Sequence, residues 1–275
     1  MSIKLQAIYK QRMTSVVDMD LGMRQFPGGE TFLKVPDIDM PDFFSITLHF
    51  QGNNDLFNLA LLVDAVRREY GNTPRIHLCM PYLPYARQDR VCNPGESLSV
   101  KVVADFINGL KLASVRCDDI HSGVGESLLD NLNHFSLTTC FYGVVSAFHR
   151  DETVLVSPDA GANKKVLELA KTYGYQHVAR ADKTRDVLTG FITGTAVYSE
   201  HVGDKDFLIV DDICDGGRTF IELAKELKKL TRGNVYLYVT HGIFSAGYEV
   251  FTGLIDHIYV SNLMNENKSP LITVI

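Results

Sequence analysis

The run Phe207-Leu-Ile-Val-Asp-Asp-Ile-Cys-Asp-Gly-Gly-Arg-Thr219 constrains the fold of this chain more than any other stretch, because three chemical signals follow one another within it. Four apolar residues, Phe207 to Val210, predict a strand buried on both faces, the mark of the middle of a parallel sheet. Asp211 and Asp212 then stand where that strand would leave the sheet. The small-residue turn Asp215-Gly216-Gly217 leads into Thr219 and an amphipathic helix from Phe220 to Leu230, so backbone N–H groups and the positive end of a helix share one crevice. An anion belongs there. Carboxylates that could grip vicinal hydroxyls beside a phosphate cradle describe a phosphorylated pentose; two solvated aspartates and an ordinary helix start are the plainer alternative. Ile213 excludes a calcium loop, since it stands where the alternating Asp/Asn pattern needs oxygen.

Strand-like and helix-like runs alternate along the rest of the chain, which predicts an α/β fold with mainly parallel sheets flanked by helices. Strands are expected at Ile3 to Tyr9, Ser45 to Phe50, Arg75 to Met80, Ala113 to Arg116, Thr153 to Val156, Val235 to Thr240 and Ile255 to Val260. Helices are expected at Asp55 to Tyr70, Leu98 to Leu110, Phe141 to Phe148 and Asn163 to Tyr173, with a short one near Ser245 to Phe251. Periodicity is lost over Asp130-Asn-Leu-Asn-His-Phe-Ser, so the expected domains are 1–135 and 136–263. The tail 264–275 is expected to pack on the first of them.

A length of 275 residues with 45% hydrophobic and 22% charged residues suits one large or two medium globular domains. The balance of 27 basic against 33 acidic residues gives −6 without a basic run, which argues against nucleic acid as the main partner. No apolar signal core opens the chain and no run of about 20 apolar residues could span a bilayer, so neither a membrane nor secretion is expected. Five widely spaced cysteines without CxxC pairing point to reduced thiols and a cytoplasmic location.

Four further stretches carry chemistry. Gln25-Phe-Pro-Gly-Gly-Glu30 is a turn that could bring backbone close to a ligand, or a plain hairpin turn. Met80-Pro-Tyr-Leu-Pro-Tyr-Ala-Arg-Gln-Asp-Arg90 follows a strand and offers stacking faces at Tyr82 and Tyr85. Its Arg87 and Arg90 present planar forks suited to phosphate, or else an ion-paired interface with Asp89. Past two other strand ends lie His121, in Asp118-Asp-Ile-His-Ser122, and Asp159, in Ser157-Pro-Asp-Ala-Gly161. His121 could ligate a metal, donate to a phosphate or be structural, whereas a carboxylate followed by glycine and a helix is what a Mg²⁺ and phosphate site requires. Ala181-Asp-Lys-Thr-Arg-Asp186 puts two cations on alternate positions of a loop that could close over a site, or form a solvated turn. Neither GxxxxGK[ST] nor GxGxxG occurs, so any nucleotide is held without a Walker loop or a dinucleotide fingerprint.

Taken in order, these words resemble the ribose-phosphate diphosphokinase family, whose enzymes make phosphoribosyl diphosphate (PRPP). The resemblance runs from about Gln25 to Leu263 and is carried by residues 81–90, 157–161, 182–185 and 210–219, with Thr240-His-Gly-Ile-Phe-Ser245. It implies two tandem phosphoribosyltransferase-type domains, an active site between them and a homo-oligomer, dimer or higher. By matching positions it implies that Arg87 and Gln88 bind ATP, with Phe26 and Glu30 near the adenine from a neighbouring subunit. His121 and Asp159 would hold Mg²⁺, and Lys183 and Arg185, with His121, would serve catalysis. Asp211, Asp212, Asp215, Gly216, Gly217, Arg218 and Thr219 would bind ribose 5-phosphate. The chain departs from the family pattern at Gly28, usually acidic, at Ala162, usually glycine, in the Gly217-Arg218 pair, and in the short segment 51–55. Two alternatives remain open at this point: an enzyme that consumes PRPP without ATP, and a non-catalytic regulatory homologue.

Overall fold

Two sheets organise the chain, one in each of two units, Met1–Phe135 and Ser136–Ile275. The structure, a computed structural model, describes residues 2–10, 14–185, 192–199, 203–265, 267 and 269–275; of residues 183–185 and 192–194 it describes the backbone alone.

The first unit contains β1 (Ile3–Tyr9), β2 (Ser15–Met19), β3 (Arg24–Gln25), β4 (Thr31–Phe32), β5 (Phe43–Leu48), α1 (Asn54–Tyr70), β6 (Arg75–Cys79), α2 (Ser99–Gly109), β7 (Ser114–Asp118), α3 (Gly123–Leu128) and β8 (Leu132–Phe135). Its sheet has the order β2-β1-β5-β6-β7-β8, parallel from β5 to β8 and antiparallel around β1. Because every step from β5 to β8 moves the same way across the sheet, right-handed crossovers carry α1 and α2 to one face. That face is the core. Phe44, Ile46, Leu48, Ile76, Leu78 and Val115 share it with Leu59, Leu62 and Val66 of α1 and with Val100, Val103 and Ile107 of α2.

The second unit contains α4 (Leu137–Cys140), a 3₁₀ turn (Phe141–Ala147), β9 (Thr153–Ser157), α5 (Asn163–Tyr173), β10 (His177–Arg185), β11 (Ile192–Tyr198), β12 (Asp206–Cys214), α6 (Arg218–Leu230), β13 (Val235–Gly242), a 3₁₀ turn (Glu249–Phe251), β14 (His257–Leu263) and β15 (Ile272–Val274). The strand order is β11-β10-β9-β12-β13-β14-β15, parallel throughout except between β10 and β11. From β9 the chain steps outward to β10, whereas from β12 it steps the opposite way to β13. A topological switch therefore lies between β9 and β12, and the carboxyl ends of these two strands frame a crevice. The same switch covers both faces of the sheet. Val166 and Leu169 of α5 share a core with Leu155, Leu208, Val210 and Tyr238, while Phe220, Leu223 and Leu227 of α6 share another with Val154, Val156, Phe207 and Ile209. Phe207 to Val210 are thus buried alternately on two sides, as their unbroken apolar run requires.

Several elements differ from the sequence expectation. The segment 130–136, which lacks periodicity, contains β8; an edge strand with a polar Asn133 and half-buried neighbours leaves no alternation to detect. The tail, expected on the first unit, instead supplies a strand to the second. Ile258 N–H donates to Leu271 O at 2.9 Å and Ile275 N–H to Val260 O at 3.0 Å, so β15 completes the ladder at the edge of the second sheet. The backbone at Lys183 and Arg185 is strand rather than loop, with an irregular register between Thr184 and Arg185. Their side chains lie outside the described residues. All five cysteines are free.

Candidate active site

At the switch the two neighbours of β12 end at different heights. Pairing with β9 stops at Ile209↔Val156, while pairing with β13 continues to Cys214↔Gly242. Asp211 and Asp212 therefore belong to a strand whose other flank opens beside the end of β9. Asp212 is 7% exposed and Asp211 half-buried, and the Asp212 N–H donates to Asp211 Oδ1 at 2.9 Å. Burial holds the Asp211 carboxyl well above the usual carboxylate range, reinforced by the negative charges of Asp212 and Asp159. Asp159 follows β9, and its Oδ1 accepts the N–H groups of Gly161 at 3.0 Å and Ala162 at 3.2 Å, which fixes the turn into α5. Three sequence-predicted carboxylates thus lie near the end of β9, Asp159 after that strand and Asp211 and Asp212 on β12 beyond its pairing with β9.

The turn expected to cradle a phosphate takes its shape from Gly217. This residue is the N-cap of α6 with φ +78°, and a Cβ placed on it would lie 2.4 Å from Phe251 Cζ. Both the left-handed backbone and the close aromatic ring demand glycine. No side chain caps α6, so the N–H groups of its first turn, from Arg218 onward, remain available to an anion. Gly216 and Arg218 are exposed and Thr219 half-buried on this turn. Asp215 is anchored from below: Ser245 Oγ donates to its Oδ1 at 2.6 Å, and Ser245 N–H to its carbonyl at 3.2 Å. In the sequence Ser245 only closes the word Thr240 to Ser245 and opens an expected short helix; nothing there marks it as the anchor of Asp215.

In the first unit the predicted nucleotide residues occupy loops at the carboxyl ends of strands. Arg87 and Gln88 are exposed after β6. Their loop turns at Tyr85, φ +63°, whose hydroxyl donates to Asn53 Oδ1 at 2.7 Å, and Gln88 N–H donates to Tyr85 O at 2.9 Å. Asp89 is buried and pairs with Arg90 at 3.0 Å; the Arg90 hydrogen bond holds its carboxyl below the usual range. The loop combines both sequence alternatives, a structural ion pair at 89–90 and exposed ligand-type groups at 87–88. His121 is exposed after β7. Phe26 and Glu30 stand on the β3–β4 hairpin, closed by Phe26 N–H to Glu30 O at 2.8 Å, with the Arg24 guanidinium 5.6 Å from the Phe26 ring and 4.6 Å from Phe32. Phe26 is 45% exposed, a face open to stacking.

Among the described residues no three His, Cys, Asp or Glu side chains form a metal cage. The oxygen donors at the switch nevertheless suit Mg²⁺, which binds through one or two carboxylates together with water and phosphate oxygens. The disfavoured charge on Asp211 is what a cation there would relieve. From this comes a prediction for the protein without ligand or divalent cation. A carboxyl raised above its unfolded value binds more protons folded than unfolded, so its contribution to stability is present at low pH and is lost as pH rises from the ordinary carboxylate range through the raised value. Asp211→Asn should therefore stabilise by about 0.5–2 kcal/mol at neutral pH, with the gain fading in acid. Melting temperatures of both proteins in EDTA across the acid-to-neutral range measure this, and a difference independent of pH would contradict it.

Comparison with known proteins adds to this geometry. Residues 5–110 match the family model described as the N-terminal domain of ribose phosphate pyrophosphokinase. A protein of Campylobacter jejuni named ribose-phosphate pyrophosphokinase is 30% identical over 248 residues, which cover 88% of this chain and 79% of that protein. Another of that name, from Rhizobium meliloti, is 32% identical over 229 residues, covering 82% and 72%. In fold, the chain is similar to the crystal structure of phosphoribosylpyrophosphate synthetase from Mycobacterium smegmatis, with a TM-score of 0.81 over 94% of this chain and 86% of that one at 23% identity.

Proposed function

The chain belongs to the ribose-phosphate pyrophosphokinase family, and on that premise we propose that it transfers the β,γ-diphosphoryl group of ATP to the C1 hydroxyl of ribose 5-phosphate, giving PRPP and AMP. The observation that carries this reading is the pairing, at one topological switch, of half-buried Asp211 and buried Asp212 with a glycine-formed, uncapped helix start. The carboxylates grip the ribose hydroxyls, and residues 215–219 hold the 5-phosphate with backbone N–H groups, to which exposed Arg218 adds a guanidinium. Arg87 and Gln88 bind ATP, and Phe26 with Glu30 receives the adenine from a neighbouring copy of the chain in a homo-oligomer.

The C1 oxygen attacks the β-phosphorus, the bond between that phosphorus and the α,β-bridging oxygen breaks, AMP leaves with that oxygen, and the hydroxyl proton is released. Phosphoryl transfer of this kind needs alignment and charge stabilisation more than covalent help from the protein. Lys183 and Arg185 supply positive charge around the β-phosphorus. Mg²⁺, held by His121 and Asp159 in this reading, would neutralise and orient phosphate oxygens. No helix among the described residues is long and apolar enough to cross a membrane, and soluble cytoplasmic substrates agree with the free cysteines.

Incubation of the protein with ribose 5-phosphate, ATP and Mg²⁺ should yield AMP and PRPP in equal amounts. Diphosphate released from PRPP and a base, with ATP ignored, would replace this reading by the PRPP-consuming one; no turnover of any nucleotide would favour the regulatory one. Asp212→Asn keeps the shape and removes a charge, so the KM for ribose 5-phosphate should rise roughly 10–100-fold, the worth of a hydrogen bond to a charged group. An unchanged KM would remove Asp212 from the sugar site.

A further inference from the structure

The turn that carries His121 is held unusually tightly for an exposed loop, and one of its holds is a side chain to which the proposed reaction gives no part. Three consecutive backbone N–H groups, beginning at the last residue of β7, each have a defined acceptor. Asp118 N–H donates to Pro81 O at 2.9 Å, Asp119 N–H to Phe135 O at 2.6 Å, and Ile120 N–H to His134 Nε2 at 3.2 Å. Asp119 takes φ +38°, a left-handed conformation that costs a non-glycine residue about 1–2 kcal/mol and persists where surrounding bonds enforce it. Ile120 is buried at 1% exposure, and a Cβ on Gly125 would lie 2.8 Å from its Cγ2, so α3 closes over it. The chain then emerges at His121.

Two of the three acceptors are backbone carbonyls, which substitution does not change. The third is an imidazole nitrogen. To accept an N–H, Nε2 must be unprotonated, so the ring proton sits on Nδ1, and Nδ1 faces Glu126 Oε1 at 3.6 Å. His134 lies on β8 opposite Cys117 of β7, so the ring reaches the turn from the strand alongside. Glu126, on α3, favours the tautomer that the bond requires.

We propose that His134, oriented by Glu126, is a positioning residue that fixes the direction in which His121 leaves the turn. This rests on the reading of His121 as a group that meets the metal–phosphate assembly, and it adds a residue that acts on it through one backbone bond. Partners at one remove from a metal-binding group typically change metal affinity or activity 10–100-fold when removed.

Position-specific isosteres separate this role from simple packing. The side-chain oxygen of glutamine reaches about as far as Nε2, whereas that of asparagine reaches only as far as Nδ1. In the full chain, His134→Leu should raise amide exchange at Ile120 at least 10-fold and raise the Mg²⁺ concentration for half-maximal turnover about 10-fold, with the KM for ribose 5-phosphate within about twofold of the parent. His134→Gln should return both readouts to within about threefold of the parent, and His134→Asn should not. Ile120 exchange that is unchanged in His134→Leu, or asparagine and glutamine variants that behave alike, would overturn the proposal. Should Ile120 exchange follow the expected order while both His134→Leu and His121→Ala leave the Mg²⁺ response flat, the clamp stands and the metal reading of His121 falls.

Discussion

Gly217→Ala is expected to cost about 2–5 kcal/mol at the phosphate cradle, lowering the melting temperature and weakening ribose 5-phosphate binding together. Two separable penalties add. A left-handed backbone costs an L-residue about 1–2 kcal/mol, and the structure has φ +78° at this position. Overpacking a filled core costs about 1–3 kcal/mol, and the new Cβ would stand 2.4 Å from Cζ and 2.8 Å from Cε1 of Phe251, a fully buried ring. Neither side yields easily, since Phe251 packs edge-on against Phe244 at 6.0 Å and Gly217 O receives the Ile221 N–H at 3.0 Å. Phe251→Leu added to Gly217→Ala should return the steric share and leave the backbone share. Calorimetry and the KM for ribose 5-phosphate, measured on both single variants and the double, give the two numbers. A Gly217→Ala protein as stable as its parent would mean that the turn does not hold this conformation.

What the letters revealed of the fold follows the strength of each local pattern. Phe207 to Val210 announced an interior strand because both faces of β12 are covered, by α5 and by α6, so no polar residue interrupts the run. Leu59, Leu62, Val63 and Val66 announced α1 because only one helix face meets the sheet. Edge elements gave no such signal. β2 has four exposed residues of five, and β15 pairs on one side only, so neither carries a periodicity that burial would impose. The extension of β12 from Val210 to Cys214 was hidden for a related reason. Once β9 has ended, the ladder with β13 continues without needing apolar residues, and the charged pair sits inside a strand rather than after it.

The candidate site divides the same way. Asp211, Asp212, Asp159 and the turn 215–219 stood out as candidates because their chemistry is concentrated in short words within or after strands, and Arg87, Gln88 and His121 for the same reason. Ser245 and His134 did not. Each acts through a single side-chain hydrogen bond to a residue far along the chain, 30 positions away for Asp215 and 14 for Ile120, and a lone polar residue carries no spacing that would reveal its partner. The raised carboxyl of Asp211 was equally invisible, since it depends first on burial in the folded sheet, then on the charge of Asp212 and, least, on that of Asp159, which the parallel pairing of β9 with β12 brings alongside.

Lys183→Ala should lower kcat about 10²–10³-fold while leaving the KM for ribose 5-phosphate within about twofold, the signature of a charge that acts mainly as the transition state forms. The backbone around it supports this separation. Pairing of β10 with β9 ends at Arg180↔Ser157, whereas pairing with β11 continues through Lys183↔Thr195 to Arg185↔Ile192. Lys183 therefore stands on a two-stranded arm that runs past the end of β9, the strand whose following turn carries Asp159. A two-stranded ribbon has little stability of its own; in the proposed reaction the substrates' binding energy would set this arm against the phosphates, and cations on it would contribute most when charge develops at the β-phosphorus. The proposed sugar site at residues 211–219 belongs to β12, α6 and the turn between them, so ground-state binding of ribose 5-phosphate should not register the loss. Lys183→Arg keeps the charge but replaces a compact ammonium by a planar fork, and should recover only part of the rate. Steady-state kinetics with AMP release as the readout, together with direct titration of ribose 5-phosphate, distinguish the cases. Equal losses in kcat and in sugar affinity would place Lys183 in the substrate site rather than on the transition state.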